Sequence, residues 1–356
     1  LPNVIVIMDE AFSDPAVLGD MQTNEDYMPF IHSLQQGADH TVTGYLNVSV
    51  KGGNTANTEF EFLTGNTMAF LPSGSIPYQQ YINGEIPSLV SYLDGLGYDT
   101  YAMHPYYATG WNRDKIYPDL GFSHAYFIDA FTAPSYVRKY VDDASCMKKI
   151  IDIYESKQKG QPMFLFNVTM QNHSPYTEAY PNLTQDISLD GVNAFALSQY
   201  LSLIKKSDAA LEELVNYFAT AEEPTVIVFF GDHQPTDSVV QPVLALNGMS
   251  YDTLSKDEEA KRYEVPYVIW ANYDIKEGQN EDTSANFLAA KVLKTAGIPL
   301  SDYENYLLDL SEKLPVISAE RIVDADGNEQ TLKTSEELKE YQKLQYYRLF
   351  DAGKGE

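Results

Sequence analysis

The sequence has a single cysteine, Cys146, among 356 residues. A disulfide within the chain is excluded, and so is a cysteine zinc centre. Basic residues are scarce: 24 Lys and Arg stand against 51 Asp and Glu, for a net charge of −27. That balance excludes the basic stripe a nucleic-acid surface needs, and it excludes docking on an anionic membrane through surface charge. A local basic site for one phosphate is compatible with it. No apolar run approaches the roughly 18 residues of a membrane span, and no signal peptide is visible. Nor is there an initiating Met: the chain opens on "LPNVIVIM", directly in an apparent strand. This reads as a fragment whose upstream part has been removed. The lack of disulfides leaves an extracytoplasmic location open.

What is present is bulk and alternation. Hydrophobic residues make up 44% of the chain, with 27 Tyr and 16 Phe, enough for a sizeable core. The length suits one large α/β domain with an appended subdomain. Five short apolar runs read as buried parallel strands: Asn3 to Met8, Asp99 to Met103, Met163 to Thr169, Thr225 to Phe230 and Tyr267 to Ala271. Helical patterns lie between them, such as "IPSLVSYLDGLG", with Pro87 near its start and Gly97 closing it, and "SDAALEELVNYFATA". The expected fold class is α/β, a mainly parallel central sheet flanked by helices. The pattern changes toward the C-terminus, so we expect a catalytic domain over 1–278 and a small α+β subdomain over 279–356. There, "RIVDADGNEQTL" reads as a hairpin with an Asp-Gly turn, and "SEELKEYQKLQYYRLFDAG" as a final helix capped by Ser335 and ended by Gly353.

In open parallel sheets ligands bind beyond the carboxyl ends of the strands. Four expected strand ends each deliver an acid or a histidine: Asp9 and Glu10; His104, followed by Trp111 and Arg113; His173; and Asp232 with His233. Each segment alone has an ordinary reading. A loop histidine is commonly just polar, Gly-Asp-His can be an Asx-turn, and Glu10 can complement a helix dipole. Trp111 and Arg113 can be a surface stacking pair, and Thr55 an N-cap. The functional case rests on their convergence.

"GGNTANTEFEFLTG", residues 52 to 65, adds glycines and hydroxyls without a His, Cys or Lys. A threonine hydroxyl needs activation to act as a nucleophile, and no base lies beside it in this loop. A divalent cation can supply that activation. Glu10, Asp232 and His233 offer two carboxylates and an imidazole, with Thr55 as the fourth ligand and the nucleophile. The helix that Thr55 opens would favour a phosphate at its positive end.

The segments "NVIVIMDEAFSD", "GGNTANTEFEFLTG", "HPYYATGWNRDKIYPDLGF", "NVTMQNHSPY" and "VIVFFGDHQP" follow one another over residues 3 to 235. In that order they resemble the lipoteichoic acid synthase and phosphoglycerol transferase group, within the alkaline phosphatase and sulfatase superfamily. The resemblance implies one divalent ion, Mn²⁺ or Mg²⁺, on Glu10, Thr55, Asp232 and His233. It makes Thr55 the nucleophile, and His104, Trp111, Arg113 and His173 the phosphoglycerol pocket, with His173 also binding phosphate or protonating the leaving oxygen. In this reading the pocket offers cations and hydrogen-bond donors. The implied donor is phosphatidylglycerol, and the implied acceptor a glycerophosphate polymer, a glycolipid or a glycan. The implied place is the outer face of a bacterial membrane, with membrane helices upstream of this chain. One position departs from the group's pattern: Asp237 stands where members can carry a serine that helps hold substrate. Tyr106 and Tyr107 lie beside the pocket segment and bear on acceptor choice. The rival readings are a phosphoethanolamine transferase, a two-metal phosphatase or phosphodiesterase, a sulfatase, and a non-catalytic binding module. A second metal lacks ligands here. A sulfatase needs a C/S-x-P-x-R segment, and Cys146 in "DDASCMKKI" has neither the Pro nor the Arg.

Overall fold

The computed structural model describes residues 1–352. Gly353, the expected end of the final helix, lies outside the described residues. In chain order the strands are β1 (Asn3–Asp9), β2 (Thr41–Asn47), β3 (Asp99–Met103), β4 (His124–Tyr126), β5 (Tyr136–Val137), β6 (Tyr140–Val141), β7 (Met163–Val168), β8 (Thr225–Gly231), β9 (Glu264–Ala271), β10 (Thr283–Ser284), β11 (Val316–Ile317) and β12 (Ile322–Val323). Eight form the central sheet, in the order β10-β2-β9-β8-β1-β7-β3-β4. β1 runs parallel to both neighbours, pairing Val6 with Phe166 of β7 and with Val228 of β8.

The sheet is mainly parallel, and its middle strands are apolar on both faces. Every residue of β1, β7 and β8 is buried, the pattern of strands covered by helices on each side. One side packs on the helices Asp143–Ser156 and Phe195–Phe218 through residues such as Ile5, Ile7 and Leu165. The other packs on the helices Thr55–Thr64 and Ala285–Ala296 through Val4, Val6 and Phe166.

Two readings of strands change. The apolar run ending at Ala271 was expected to be parallel, but β9 is antiparallel to both β2 and β8. Two-sided burial reports a central position and carries no information on strand direction. β2, which the sequence pattern did not single out, is read from "TVTGYLN", where threonines and Gly44 interrupt the apolar signal. Its glycine is required: a Cβ on Gly44 would stand 2.6 Å from the Glu281 carbonyl oxygen.

The helix expected around "IPSLVSYLDGLG" runs Leu89–Gly95, capped by Ser88. Beyond residue 296 a third apolar cluster, including Leu307, Leu310, Ile317, Leu338 and Tyr341, joins the C-terminal elements to the helix Ala285–Ala296. β10 is an edge strand of the main sheet, and that helix packs on the sheet's face. The Asp-Gly turn is present, with Val323 bridged to Glu329 and Gly327 at φ 85°. The principal partner of β12 is β11. Ser335 caps the last helix, Glu336–Tyr346.

Candidate active site

Four adjacent strands of the sheet, β8, β1, β7 and β3, end on one edge. Their following residues are the ones the sequence marked. Glu10 follows β1, Asp232 and His233 follow β8, His104 follows β3, and the loop 169–173 follows β7. Gly231 closes β8 because Phe12 crosses it: a Cβ there would sit 1.8 Å from the Phe12 carbonyl oxygen. A glycine is the residue that admits such an approach.

Asp232 is held by two backbone donors. Its Oδ1 accepts from Ala11 N at 2.7 Å and from His233 N at 2.8 Å. That leaves Oδ2 buried without a hydrogen-bond partner, and His233 Nε2 is likewise buried and unpartnered. His233 Nε2 lies 3.2 Å from Asp232 Oδ2 and 3.7 Å from Glu10 Oε1. The ligand atoms of Glu10, Asp232 and His233 all fall within 4.8 Å of one another, so this trio could hold a metal ion. Burial, and after it the Asp232 carboxylate, push the Glu10 carboxyl up to about 8. Two carboxylates crowded beside bare, buried donor atoms fit a divalent cation, which removes their mutual repulsion.

Thr55 comes to this trio from a separate loop. Gly52 N donates to Gln234 O at 2.8 Å, and Thr58 Oγ1 donates to Asp232 O at 2.7 Å, so loop and helix are pinned to the end of β8. Asn54, at φ 65°, is the N-cap and Thr55 the first helical residue, one position later than a capping role for Thr55 requires. Thr55 Oγ1 donates to Glu10 Oε2 at 3.3 Å. A Cβ on Gly53 would meet nothing within 4 Å, so there is open space beside the loop at that position.

That space is a cavity of about 190 Å³ whose walls include Thr55, His104, Trp111, Arg113, His173 and His233. Of the strand-end residues and Thr55, all but Asp9 line it or belong to the buried trio; Asp9 accepts from Asn172 Nδ2 at 2.9 Å. Three histidines share one arrangement. Nδ1 of His104 lies 2.9 Å from Val168 O, Nδ1 of His173 2.7 Å from Ser174 O, and Nδ1 of His233 2.9 Å from Gln234 O. A carbonyl only accepts, so in each ring Nδ1 carries a hydrogen, and in the neutral ring Nε2 is the nitrogen with the lone pair. Burial, with the Arg113 guanidinium second, holds His104 well below the usual histidine range. It therefore presents an acceptor to the cavity, where the sequence reading had counted on a donor.

The Arg113 charge is already countered. Its guanidinium makes a two-pronged pair with Glu59, which also accepts from Tyr117 Oη at 2.9 Å. Arg113 is 2% exposed and Glu59 not at all. Glu59 is a residue the sequence reading missed; the signal was an acid between Thr58 and Phe60 in "TEFEF", on a helix buried along its whole length. Asp237 is resolved by the same logic. Its carboxylate accepts from Arg262 Nη2 at 2.9 Å and lies 3.4 Å from Lys51 Nζ, while Thr236 takes its place in the cavity wall. Tyr106 stands at the cavity and Tyr107 is largely exposed beside it.

A parallel α/β sheet with an acid–imidazole site at its carboxyl edge is the architecture of the alkaline phosphatase and sulfatase class. The chain belongs to the sulfatase family, whose model matches residues 2–298. A protein of Rhizobium meliloti (strain 1021) named for cyclic beta-1,2-glucan modification is 33% identical over 98% of this chain, which spans 55% of that relative's length. Among solved structures, the Streptococcus pyogenes phosphoglycerol transferase GacH, in complex with sn-glycerol-1-phosphate, superposes with a TM-score of 0.78 at 21% identity, covering 98% of this chain and 86% of that one. The lipoteichoic acid synthase LtaP of Listeria monocytogenes gives 0.71 at 22% identity, covering 98% and 90%. These two likenesses establish the fold. Among the described residues no helix is long and apolar enough to cross a membrane.

Proposed function

We propose that the chain is the catalytic domain of a metal-dependent phosphoglycerol transferase that moves glycerol phosphate from phosphatidylglycerol, through Thr55, to an acceptor hydroxyl. The observation that carries the reading is the placement of the Thr55 hydroxyl against the Glu10, Asp232 and His233 trio, in a cavity also lined by His104, Trp111, Arg113 and His173. The relatives named for phosphoglycerol transfer and lipoteichoic acid synthesis support it. In this reading the enzyme is anchored on the outer face of a bacterial membrane, where its donor lipid resides.

Glu10, Thr55, Asp232 and His233 would hold the cation, Mn²⁺ by the chemistry of two carboxylates, a hydroxyl and one imidazole. When bound, it favours the alkoxide form of Thr55 and offsets phosphate charge. The residues of the chain do the rest. Thr55 Oγ1 attacks phosphorus, the bond to the diacylglycerol oxygen breaks, and a glycerophospho-threonine forms. Arg113, oriented by Glu59, directs its free edge at the phosphate oxygens. His104 Nε2 accepts a hydrogen bond from a glycerol hydroxyl, and Trp111 covers the glycerol carbons. The Thr55 proton leaves to solvent as the alkoxide forms. His173 Nε2, bare in the resting ring, first takes up a proton from solvent and, as the imidazolium, gives it to the departing diacylglycerol oxygen. In the second half it takes the proton of the acceptor hydroxyl, as the acceptor oxygen bonds to phosphorus and the Thr55 Oγ1–phosphorus bond breaks.

The test is incubation with phosphatidylglycerol and Mn²⁺, followed by intact-mass measurement and lipid analysis. Diacylglycerol release with a glycerophosphate adduct on Thr55 is expected. Release without any adduct on Thr55, or no release at all, overturns the reading.

A further inference from the structure

We infer that Arg138 is a positioning residue for His173: it clamps the loop after β7 so that the imidazole is held as the Nδ1–H tautomer, with Nε2 toward the cavity. Nothing in the motifs marks Arg138. It sits between the short strands β5 and β6, at φ 56°, in the turn of a hairpin that does not belong to the central sheet. Asn182 Nδ2 fixes that turn, donating to Arg138 O at 2.9 Å and Tyr136 O at 3.2 Å.

From there the guanidinium reaches three carbonyls of one loop. Nη1 donates to Pro175 O at 2.8 Å, and Nη2 donates to Gln171 O and His173 O, each at 2.7 Å. Arg138 is 6% exposed and lies between the Tyr176 ring at 5.3 Å and the Tyr140 ring at 5.7 Å. A planar fork of fixed donors holds several carbonyls in one geometry, which a lysine ammonium on its flexible stem does not reproduce. The three carbonyls bracket Ser174, whose own carbonyl receives the His173 Nδ1 hydrogen. The Tyr140 hydroxyl stands 3.2 Å from that Nδ1 and 3.5 Å from the Ser174 oxygen, bracing the same bond from the hairpin. A loop left unclamped would let the Ser174 carbonyl turn away, and the ring could then take either tautomer.

The proton role of His173 rests on the phosphoglycerol transfer reading, whereas its tautomer does not. Two measurements separate them. In ¹⁵N-histidine-labelled protein at neutral pH, the His173 ring, assigned by loss of its signals in His173→Gln, is expected to show a protonated Nδ1 and a bare Nε2. In Arg138→Ala it should become a mixture of tautomers. For diacylglycerol release from phosphatidylglycerol, kcat should fall by about 10- to 100-fold while KM changes by less than about 3-fold, because misplacing a proton-transfer group affects the chemical step. Arg138→Lys, with one donor point in place of a fork, should show an intermediate tautomer mixture and intermediate kcat, and it carries the test if Arg138→Ala does not fold. An unprotonated Nδ1 in the wild type overturns the inference. So does a variant that keeps the wild-type tautomer, or one whose kcat and KM change in step with lost folded protein. A wild type with the expected tautomer and no lipid turnover would instead refute the transferase reading.

Discussion

Replacing Arg113 by methionine tests whether the site's cation is held by its pair with Glu59. The variant keeps roughly the side-chain volume and removes the charge. Glu59 then sits with no exposed surface, losing both guanidinium contacts and keeping only the Tyr117 hydroxyl at 2.9 Å. Breaking a buried pair from one side costs about 3–5 kcal/mol, because the remaining charge has neither water nor partner. With a urea m-value of about 3 kcal/mol/M for a chain of this size, the midpoint should drop by about 1–1.7 M. Adding Glu59→Gln removes the orphaned charge while still accepting from Tyr117. The double variant should cost only about 1–2 kcal/mol, the price of an imperfectly satisfied amide. The second substitution should therefore recover about 2–3 kcal/mol of the first one's deficit. Urea unfolding followed by far-UV circular dichroism measures all three proteins, and diacylglycerol release measures their activity. If the pair positions Arg113 for phosphate, the double variant recovers stability without activity. A single variant within about 1 kcal/mol of wild type, or a double variant no better than the single, refutes the reasoning.

Three further outcomes follow. Thr55→Ala should abolish lipid turnover with little loss of stability, since the residue faces open cavity space; substantial turnover by a folded variant would remove the nucleophile assignment. Phosphatidylglycerol should be cleaved faster than phosphatidylethanolamine in parallel incubations, because Asp237 is engaged by Arg262 and Lys51 and does not offer its charge to an ammonium; the reverse order of rates would reassign the donor. Away from the site, burial alone would lower the His32 pKa, but hydrogen bonds and charge from Asp14 and Asp26 raise it to about 9. Its stabilising effect is therefore complete below the ordinary histidine value of about 6.5 and lost as pH rises through about 9. The stability gap between wild type and His32→Asn should close over that window in urea titrations, and a gap that is flat or widening would contradict the ion-pair account.

Which parts of this protein were legible in its sequence follows from the range of the interactions involved. β1, β3, β7 and β8 could be read from short apolar runs, because two-sided burial writes itself into consecutive residues. The strand-end rule then brought Glu10, His104, His173, Asp232 and His233 to one edge of the sheet without any contact being known. The direction of β9 could not be read in this way, since it depends on which neighbours it meets. β2 was hidden for a related reason: Gly44 answers to the Glu281 backbone, more than two hundred positions away.

The same limit governs the site. A residue that carries chemistry by its own type, such as a histidine at a strand end or a threonine after glycines, announces itself. A residue that acts by holding another does not. Glu59 has meaning through Arg113, 54 positions later, and Arg138 through carbonyls 33 to 37 positions later. The orientation of Asp237 was likewise decided by Arg262, 25 positions on. In each case the deciding partner is a guanidinium, whose several fixed donors tie segments that the chain separates. The chemistry of this site is written in its strand ends, and its geometry in three arginines, of which Arg113 lies in a marked segment while Arg138 and Arg262 do not. Substitution of Arg138 and Arg262, outside every motif, is where altered rates with an unaltered ligand set should be sought.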